Sequence, residues 1–357
     1  MSATRRPIII YYEHPHWFRP LFHELDRRGT PHVRIDAGQH RFDPSEPPLN
    51  GSRPGLVFNR MSPSAWKRGR SASIFYTHDY LGHLEQQGVP VFNGVAAYRF
   101  ETSKALQVSL LKQLGLPVPR THVVNHPALL PAAAEGLTFP LIVKPNIGGS
   151  GAGIRRFDDF LSLAAAADDP NFEASLDGTI LLQEYHPPKG RSIVRVETLE
   201  HRYLYGIRVH LGDEAGFDLC PADVCKTTDG RELTSAACPV DAVKQGLSVE
   251  PYEPPRDIIE AVERIAAATH LDVGGIEYLE SERDGQLYFY DINALSNFVA
   301  EPRTVLGFDP TERLVDALER RASVIPSRED GEESGRRDAA PPPGFLAPAR
   351  NDNGRAS

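Results

Sequence analysis

The stretch "GQLYFYDINALSNF", Gly285 to Phe298, runs as an apolar and aromatic strand. It then sets a carboxylate and an amide two residues apart, Asp291 and Asn293. Side chains two apart on a strand project to the same side. A carboxylate and an amide oxygen there are hard donors of the kind magnesium takes. The earlier apolar run "VGGIEYLES" carries one acid, Glu277, which taken alone reads equally as a residue on a solvated face. Magnesium keeps several waters and binds through one or two carboxylates plus substrate phosphates, so a phosphate-holding element is the natural companion of this set.

The segment "KPNIGGSGAGIRRF" has the composition of such an element. Gly148, Gly149, Gly151 and Gly153 let the backbone turn sharply and aim N–H groups at phosphate oxygens, and Ser150 adds a hydroxyl. A Gly-rich loop alone is also an ordinary turn. This one matches neither G-x-x-x-x-G-K-[ST] nor G-x-G-x-x-G with a ribose-binding acid. Lys144 ends the strand before it, in phase with Ile142 rather than with Leu141 and Val143. There it is a point charge for ATP phosphates, although one strand-end lysine by itself reads first as solvated. Lys104, opening the preceding helix, is a second such charge. "LLQEYH" puts Gln183, Glu184 and Tyr185 at a strand end, where a hinge between lobes offers backbone groups and an acceptor to an adenine edge.

These residues need elements to carry them. "PIIIYYEHP" reads as a buried strand, "HWFRPLFHELDRRG" as a helix closed by Gly29, and "PHVRIDA", "GLVFNRM" and "GVPVFNG" as further strands, with the helical "SIFYTHDYLGHLEQQG" before the last. Strands alternating with helices imply a parallel, doubly wound sheet. Tyr98 to Leu114 reads as one helix with Ala105, Val108 and Leu111 on a stripe, and "LPVPRT" forces an extended exit. The strand "FPLIVKPN", a helix from about 158 to 167 and the strand "TILLQEY" follow. "RSIVRVETL" with "RYLYGIRVHL" form a hairpin. "PRDIIEAVERIAAATHL" forms a helix with Ile258, Val262, Ile265 and Thr269 on one face. "GGIEYLES" and "GQLYFYDIN" form another antiparallel pair.

The chain has 357 residues, enough for two or three packed lobes, with 40% hydrophobic and 24% charged residues. A net charge of -9 argues against a nucleic-acid partner, since a phosphate backbone wants a basic face. Cys220, Cys225 and Cys238 are too few and too irregular for a disulfide framework or a zinc site and read as reduced thiols. The N-terminal apolar run is too short for a signal peptide, and no window approaches a membrane span, so a cytoplasmic protein is expected. From about Pro326 the chain is nearly empty of large apolar residues and reads as disordered.

In this order, these parts resemble the ATP-grasp superfamily, and within it the branch of RimK-type amino-acid ligases and glutathione synthetases. The resemblance extends from Ile8 to Leu318. It implies an α/β and α+β architecture: a doubly wound N-terminal lobe (1–97), a first ATP-grasp subdomain with its flap (98–186), a second with the metal site (187–325), and a tail (326–357). It matches Lys104 and Lys144 to the phosphate lysines and Gly148, Gly149, Ser150 and Gly151 to the flap. Gln183, Glu184 and Tyr185 match the adenine hinge, and Glu277, Asp291 and Asn293 the metal ligands. ATP and Mg²⁺ are the implied cofactors, with Mn²⁺ as a substitute. Arg195 falls on the family's "D-I-R" strand, to orient a carboxylate or stabilise an oxyanion, with a salt bridge to Glu197 as an even alternative. Arg208 and Lys226 are candidate substrate anchors or else surface charge. Glu13, His14 and His16, beyond the first strand's end, are placed to touch substrate or to be satisfied loop residues. The family reads "G-V-D" and "E-V-N-x-S-P-G" where this chain has "GGIEYL" and "DINALSN", so Asp and Glu have exchanged places.

The implied reaction is ATP-dependent joining of a small carboxylate to an amine through an acylphosphate. The alternatives are a phosphotransferase acting on a hydroxylated acceptor and a nucleotide-binding module without chemistry. The sequence does not fix the oligomer, although paired exposed sheet edges make a homodimer unsurprising, and neither nucleic acid nor membrane is an expected partner.

Overall fold

The computed structural model describes residues 6–14, 16–48, 53–149, 151–211, 248–299 and 301–323. Ser150, Lys226, the three cysteines and the tail read as disordered lie outside them.

The run "IIIYY" forms β1 (Ile8–Tyr12), flanked by β2 (His32–Asp36) and β3 (Leu56–Arg60), with the short β4 (Val91–Phe92) at the edge. All pair in parallel in the order β2-β1-β3-β4. An unbroken apolar strand suits this position because both faces are covered. Ile8 and Ile10 pack with Leu21, Phe22 and Leu25 of α1 (Arg19–Arg28), whereas Ile9 and Tyr11 pack with Ile74, Tyr80 and Leu84 of α2 (Ser71–Gln86). Gly29, left-handed at φ 66°, closes α1 as its position predicts.

The helix expected from Tyr98 to Leu114 is two helices, α3 (Val95–Glu101) and α4 (Lys104–Gln113). Side-chain oxygens break it. The Thr102 hydroxyl donates back to Tyr98 O (2.9 Å), and Ser103, extended, caps the new start by accepting from Leu106 N–H (3.3 Å). Lys104 thereby becomes the first residue of a helix rather than a mid-helix side chain.

The second sheet has β5 (Thr121–Val124), β6 (Leu141–Pro145), β7 (Arg155–Phe157) and β8 (Ile180–Glu184), all antiparallel, in the order β5-β8-β6-β7. Leu141, Val143, Ile180 and Leu182 turn to one face. There they bury against Leu130 of the short α5 (Leu130–Ala133) and Leu163 and Ala166 of α6 (Phe160–Ala167). The opposite face carries Ile142, Lys144 and Gln183.

The third sheet runs β11-β10-β9-β12-β13, also antiparallel: β9 (Ser192–Leu199), β10 (Arg202–His210), β11 (Ser248–Pro251), β12 (Val273–Glu280) and β13 (Leu287–Asn293). Helix α7 (Arg256–Ala268) lays Ile258, Val262 and Ile265 onto Val194, Val196, Ile276, Tyr278 and Ile292. Each such fully buried aliphatic side chain contributes roughly 1.5–3 kcal/mol. After the short α8 (Pro302–Leu306), α9 (Pro310–Ser323) returns to the first sheet. Leu314, Val315 and Leu318 join the core of Ile8 and Phe22, and Arg28 Nη1 bonds Asp316 Oδ1 at 2.5 Å.

Candidate active site

One cavity of about 560 Å³ is lined by residues of the second and third sheets, by α3 and α4, and by first-lobe residues that follow β1 and β3. Two clamps bring its cations to its acids. The buried Gln107 side chain of α4 bonds both backbone groups of Ile292, donating to the carbonyl (2.8 Å) and accepting from the N–H (3.1 Å), which fastens α4 along β13. Asn146, just past β6, accepts the α4 N–H groups of Lys104 on its carbonyl (3.2 Å) and Ala105 on its Oδ1 (2.9 Å). Lys104 and Lys144 both end in the cavity as a result.

Lys104 Nζ is ion-paired to Asp291 Oδ1. Burial pulls its ammonium down, but the charge and hydrogen bond of Asp291, with the charges of Glu101 and Glu277, together outweigh it and hold the ammonium above the usual lysine range. Burial likewise opposes ionisation of Asp291, and Lys104 and Lys144 together overcome it, so its carboxyl is depressed. Lys144 is 5% exposed and, among the described residues, has no carboxylate partner of its own. Burial, then the charge of Lys104, push it down to about 8. Its Nζ lies 3.5 Å from Gln183 Oε1 and 5.9 Å from the Tyr290 ring centroid.

Each nitrogen of Arg195 makes one bond at the cavity floor. Nε donates to Glu197 Oε1 (2.7 Å), Nη1 to Glu277 Oε1 (2.9 Å) and Nη2 to Ser296 Oγ (2.6 Å), while the Ser296 hydroxyl donates to Glu197. Burial raises the Glu277 carboxyl despite Arg195 beside it. Gly275 of "VGGIEYL" makes room for this network. A Cβ on Gly275 would stand 2.8 Å from Arg195 Nε and 2.9 Å from Glu197 Oε1.

Glu277 lies directly across from Asp291, but the next pair is Tyr278 with Phe289, so Tyr290 is an extra residue on β13. This β-bulge turns Tyr290 into the cavity next to Asp291. Glu277, Asp291 and Asn293 all line the cavity. Among the described residues, no group of three or more His, Cys, Asp or Glu is gathered as a metal cluster. Two carboxylates and an amide match a hard cation that completes its shell with water and phosphate. The Asn293 Nδ2, a donor, is buried without a hydrogen-bond partner among the described residues, which suits an acceptor such as a phosphate oxygen rather than the cation itself. The residues present fit Mg²⁺ and the phosphates that accompany it.

At the other end, Gln183, Glu184, Tyr185 and His186 form the wall. The N–H groups of Glu184 and Tyr185 already donate to the Arg120 and Pro140 carbonyls, and Tyr185 O accepts from Arg283 Nη1 (3.0 Å). Glu184 Oε1 accepts from the Thr138 N–H (2.8 Å). Those backbone groups are therefore committed inside the protein. Gly148, Gly149 and Gly151 also line the cavity. A Cβ on Gly149 would be 3.2 Å from Ser64 Cβ, so the loop rests against the Ser62–Pro63–Ser64 turn of the first lobe.

Arg208 is a correction. It pairs across β9 with Val194, on the α7 face of the third sheet, whereas Arg195, Glu277 and Asp291 share the other face. Its guanidinium stacks on Tyr252 at 4.0 Å and faces Glu250 at 3.7 Å, away from the cavity. Glu13, His14 and His16 also do not line it. Glu13 is held by Arg68 (2.5 Å) and His14 stacks on Trp17 at 4.2 Å, and of this segment Trp17 reaches the cavity wall. Sequence reasoning missed Glu101, Ser62, Ser64, Tyr290 and Glu282, which all line the cavity. The signal for Glu101 was its place in "FETSK", one turn before Lys104.

No protein-family model matches the sequence. Solved structures do match, and they define the class: the chain has the ATP-grasp fold. The ATP-grasp ligase PsnB, in complex with a phosphomimetic variant of its minimal precursor, Mg and ADP, superposes with a TM-score of 0.58 at 19% identity over 90% of this chain and 100% of that one. A RimK-domain ATP-grasp protein from Sphaerobacter thermophilus gives 0.56 at 17% identity over 88% of this chain and 98% of its own. Among curated sequences, a D-alanine--D-alanine ligase of Ectopseudomonas mendocina is 30% identical over 168 residues, 44% of this chain and 53% of the relative. The chain spans about half the length of that relative. The resemblance drawn from the lysines, loop and metal strand therefore holds at the level of fold, RimK-like proteins included.

Proposed function

We propose that the protein is an ATP- and magnesium-dependent ligase that joins a carboxylate to an amine through an acylphosphate, releasing ADP and phosphate. The observation that carries this is the meeting in one cavity of Lys104, Lys144 and Arg195 with Glu277, Asp291 and Asn293. Lys104, Lys144 and the N–H groups of the Gly148–Gly151 loop hold the phosphates. Glu277, Asp291 and Asn293 hold Mg²⁺, or Mn²⁺ in its place, which supplies charge neutralisation on the transferring phosphoryl group. Gln183 and the hinge face the adenine, and Glu282 the ribose. Arg195, fixed by Glu197 and Ser296, presents its remaining N–H groups to the oxyanion of the acyl intermediate.

The D-alanine--D-alanine ligases among the relatives support an amino acid as one substrate. The reading includes the lobe boundaries at 97, 186 and 325, a cytoplasmic location and a homodimer. It includes neither nucleic acid nor membrane as partner. Among the described residues, no helix is long and apolar enough to cross a membrane.

The test is ADP and phosphate release from Mg–ATP across paired acids and amines, D-alanine first, with Lys144→Ala as control. Release only when acid and amine are both present is the expected result. Release with a hydroxylated acceptor and no amine dependence overturns it in favour of a phosphotransferase.

A further inference from the structure

Glu101, the last residue of α3, stands in the cavity wall and is 7% exposed. Its Oε2 accepts the backbone N–H groups of Ala294 and, at 3.2 Å, Leu295, the two residues that follow Asn293. Among the described residues, no hydrogen bond reaches its Oε1 and no cationic side chain is ion-paired to it. The cations whose fields it feels are committed elsewhere. Lys104 holds Asp291, and Arg60 donates to the carbonyls of Ala294 (3.4 Å) and Ser296 (2.6 Å). Burial, with the charge of Asp291 adding to it, pushes the Glu101 carboxyl up to about 7. A carboxylate buried without its own cation is costly, and a cationic ligand relieves that cost.

We propose that Glu101 binds the amine substrate: its open oxygen receives the ammonium of an amino compound and holds it beside the loop that follows the metal strand. This rests on the ligase reading and deepens it, because it makes the amine a cation on entry. The two bonds to Ala294 and Leu295 set the orientation of the carboxylate, so the open oxygen is presented in one direction. A purely structural brace would need only Oε2.

The test separates the two roles. Glu101→Gln keeps an oxygen for both N–H groups and removes the charge. Binding of glycinamide, a cation without a carboxylate, and of propionamide, its neutral counterpart, is measured by NMR titration on protein saturated with Mg–ADP. Wild type is expected to prefer glycinamide by roughly tenfold or more, the scale of one charge-assisted hydrogen bond, and Glu101→Gln to lose that preference while binding Mg–ADP equally well. No preference in wild type, or a preference that survives in Glu101→Gln, overturns the proposal. Failure of wild type to bind Mg–ADP at all is a different result: it overturns the ligase reading and this inference with it.

Discussion

Gly275 lies directly against the guanidinium of Arg195, with an added Cβ falling 2.8 Å from Nε. The backbone of β12 is thus the floor on which Arg195 rests, and the only side chain that fits there is a hydrogen atom. Gly275→Ala should displace Arg195 from Glu277 and Glu197. The expected cost is roughly 1–3 kcal/mol of stability from overpacking. A displacement near 1 Å should lower turnover by roughly 10²-fold. Thermal unfolding beside steady-state ADP release checks both, and wild-type turnover in Gly275→Ala would show that the position of Arg195 is immaterial.

Lys144 gives the pH dependence. Its ammonium titrates at about 8 in the folded protein, against 10.5 for an unperturbed lysine. Below pH 8 it is charged in both folded and unfolded chains. Between 8 and 10.5 the unfolded chain binds more protons, so this residue makes stability rise with pH over that window. Phosphate affinity runs the other way, since the charge that attracts phosphate is lost above pH 8. Nucleotide affinity, measured by calorimetry, should therefore weaken from about pH 7 to about pH 9, with uptake of a proton at the upper end. Lys144→Ala should bind more weakly at neutral pH and change little across the range.

Arg208→Ala should leave turnover and nucleotide affinity within about 0.5 kcal/mol of wild type, the range of an ordinary surface change. The residue sits with Tyr252 and Glu250 on the far face of its sheet. A large rise in the KM of either substrate would mean that the cavity extends where the structure shows α7.

Much of this was legible in the sequence because it depended on neighbours in the chain. The apolar run of β1, the phase of Lys144 with Ile142, and the shared side of Asp291 and Asn293 follow from local periodicity. What was not legible depends on partners far away. Glu101 looks like any polar residue near a helix end until the loop at Ala294 and Leu295, more than 190 positions on by the sequence separation of its bonds, closes over it. The bulge at Tyr290 exists only in register with β12. Arg208 was misassigned because charge near a candidate site was weighed without asking which face of β10 it occupies. The break at Thr102 and Ser103 was readable in principle, as a hydroxyl pair ahead of a lysine, but the apolar stripe ran through it.

The two lysines of the cavity are rooted in different cores. Lys104 stands on α4, whose Leu111 packs into the core beneath the third sheet, whereas Lys144 ends a strand whose Leu141 and Val143 belong to the separate core of the second. Asn146 is a narrow join between them at that point. A polyphosphate held by both ammonium groups, as proposed above, would be a rivet between two cores of one compact unit. In the proposed reaction, transfer of the terminal phosphoryl group to the carboxylate would remove part of that fastening while ADP is still in place.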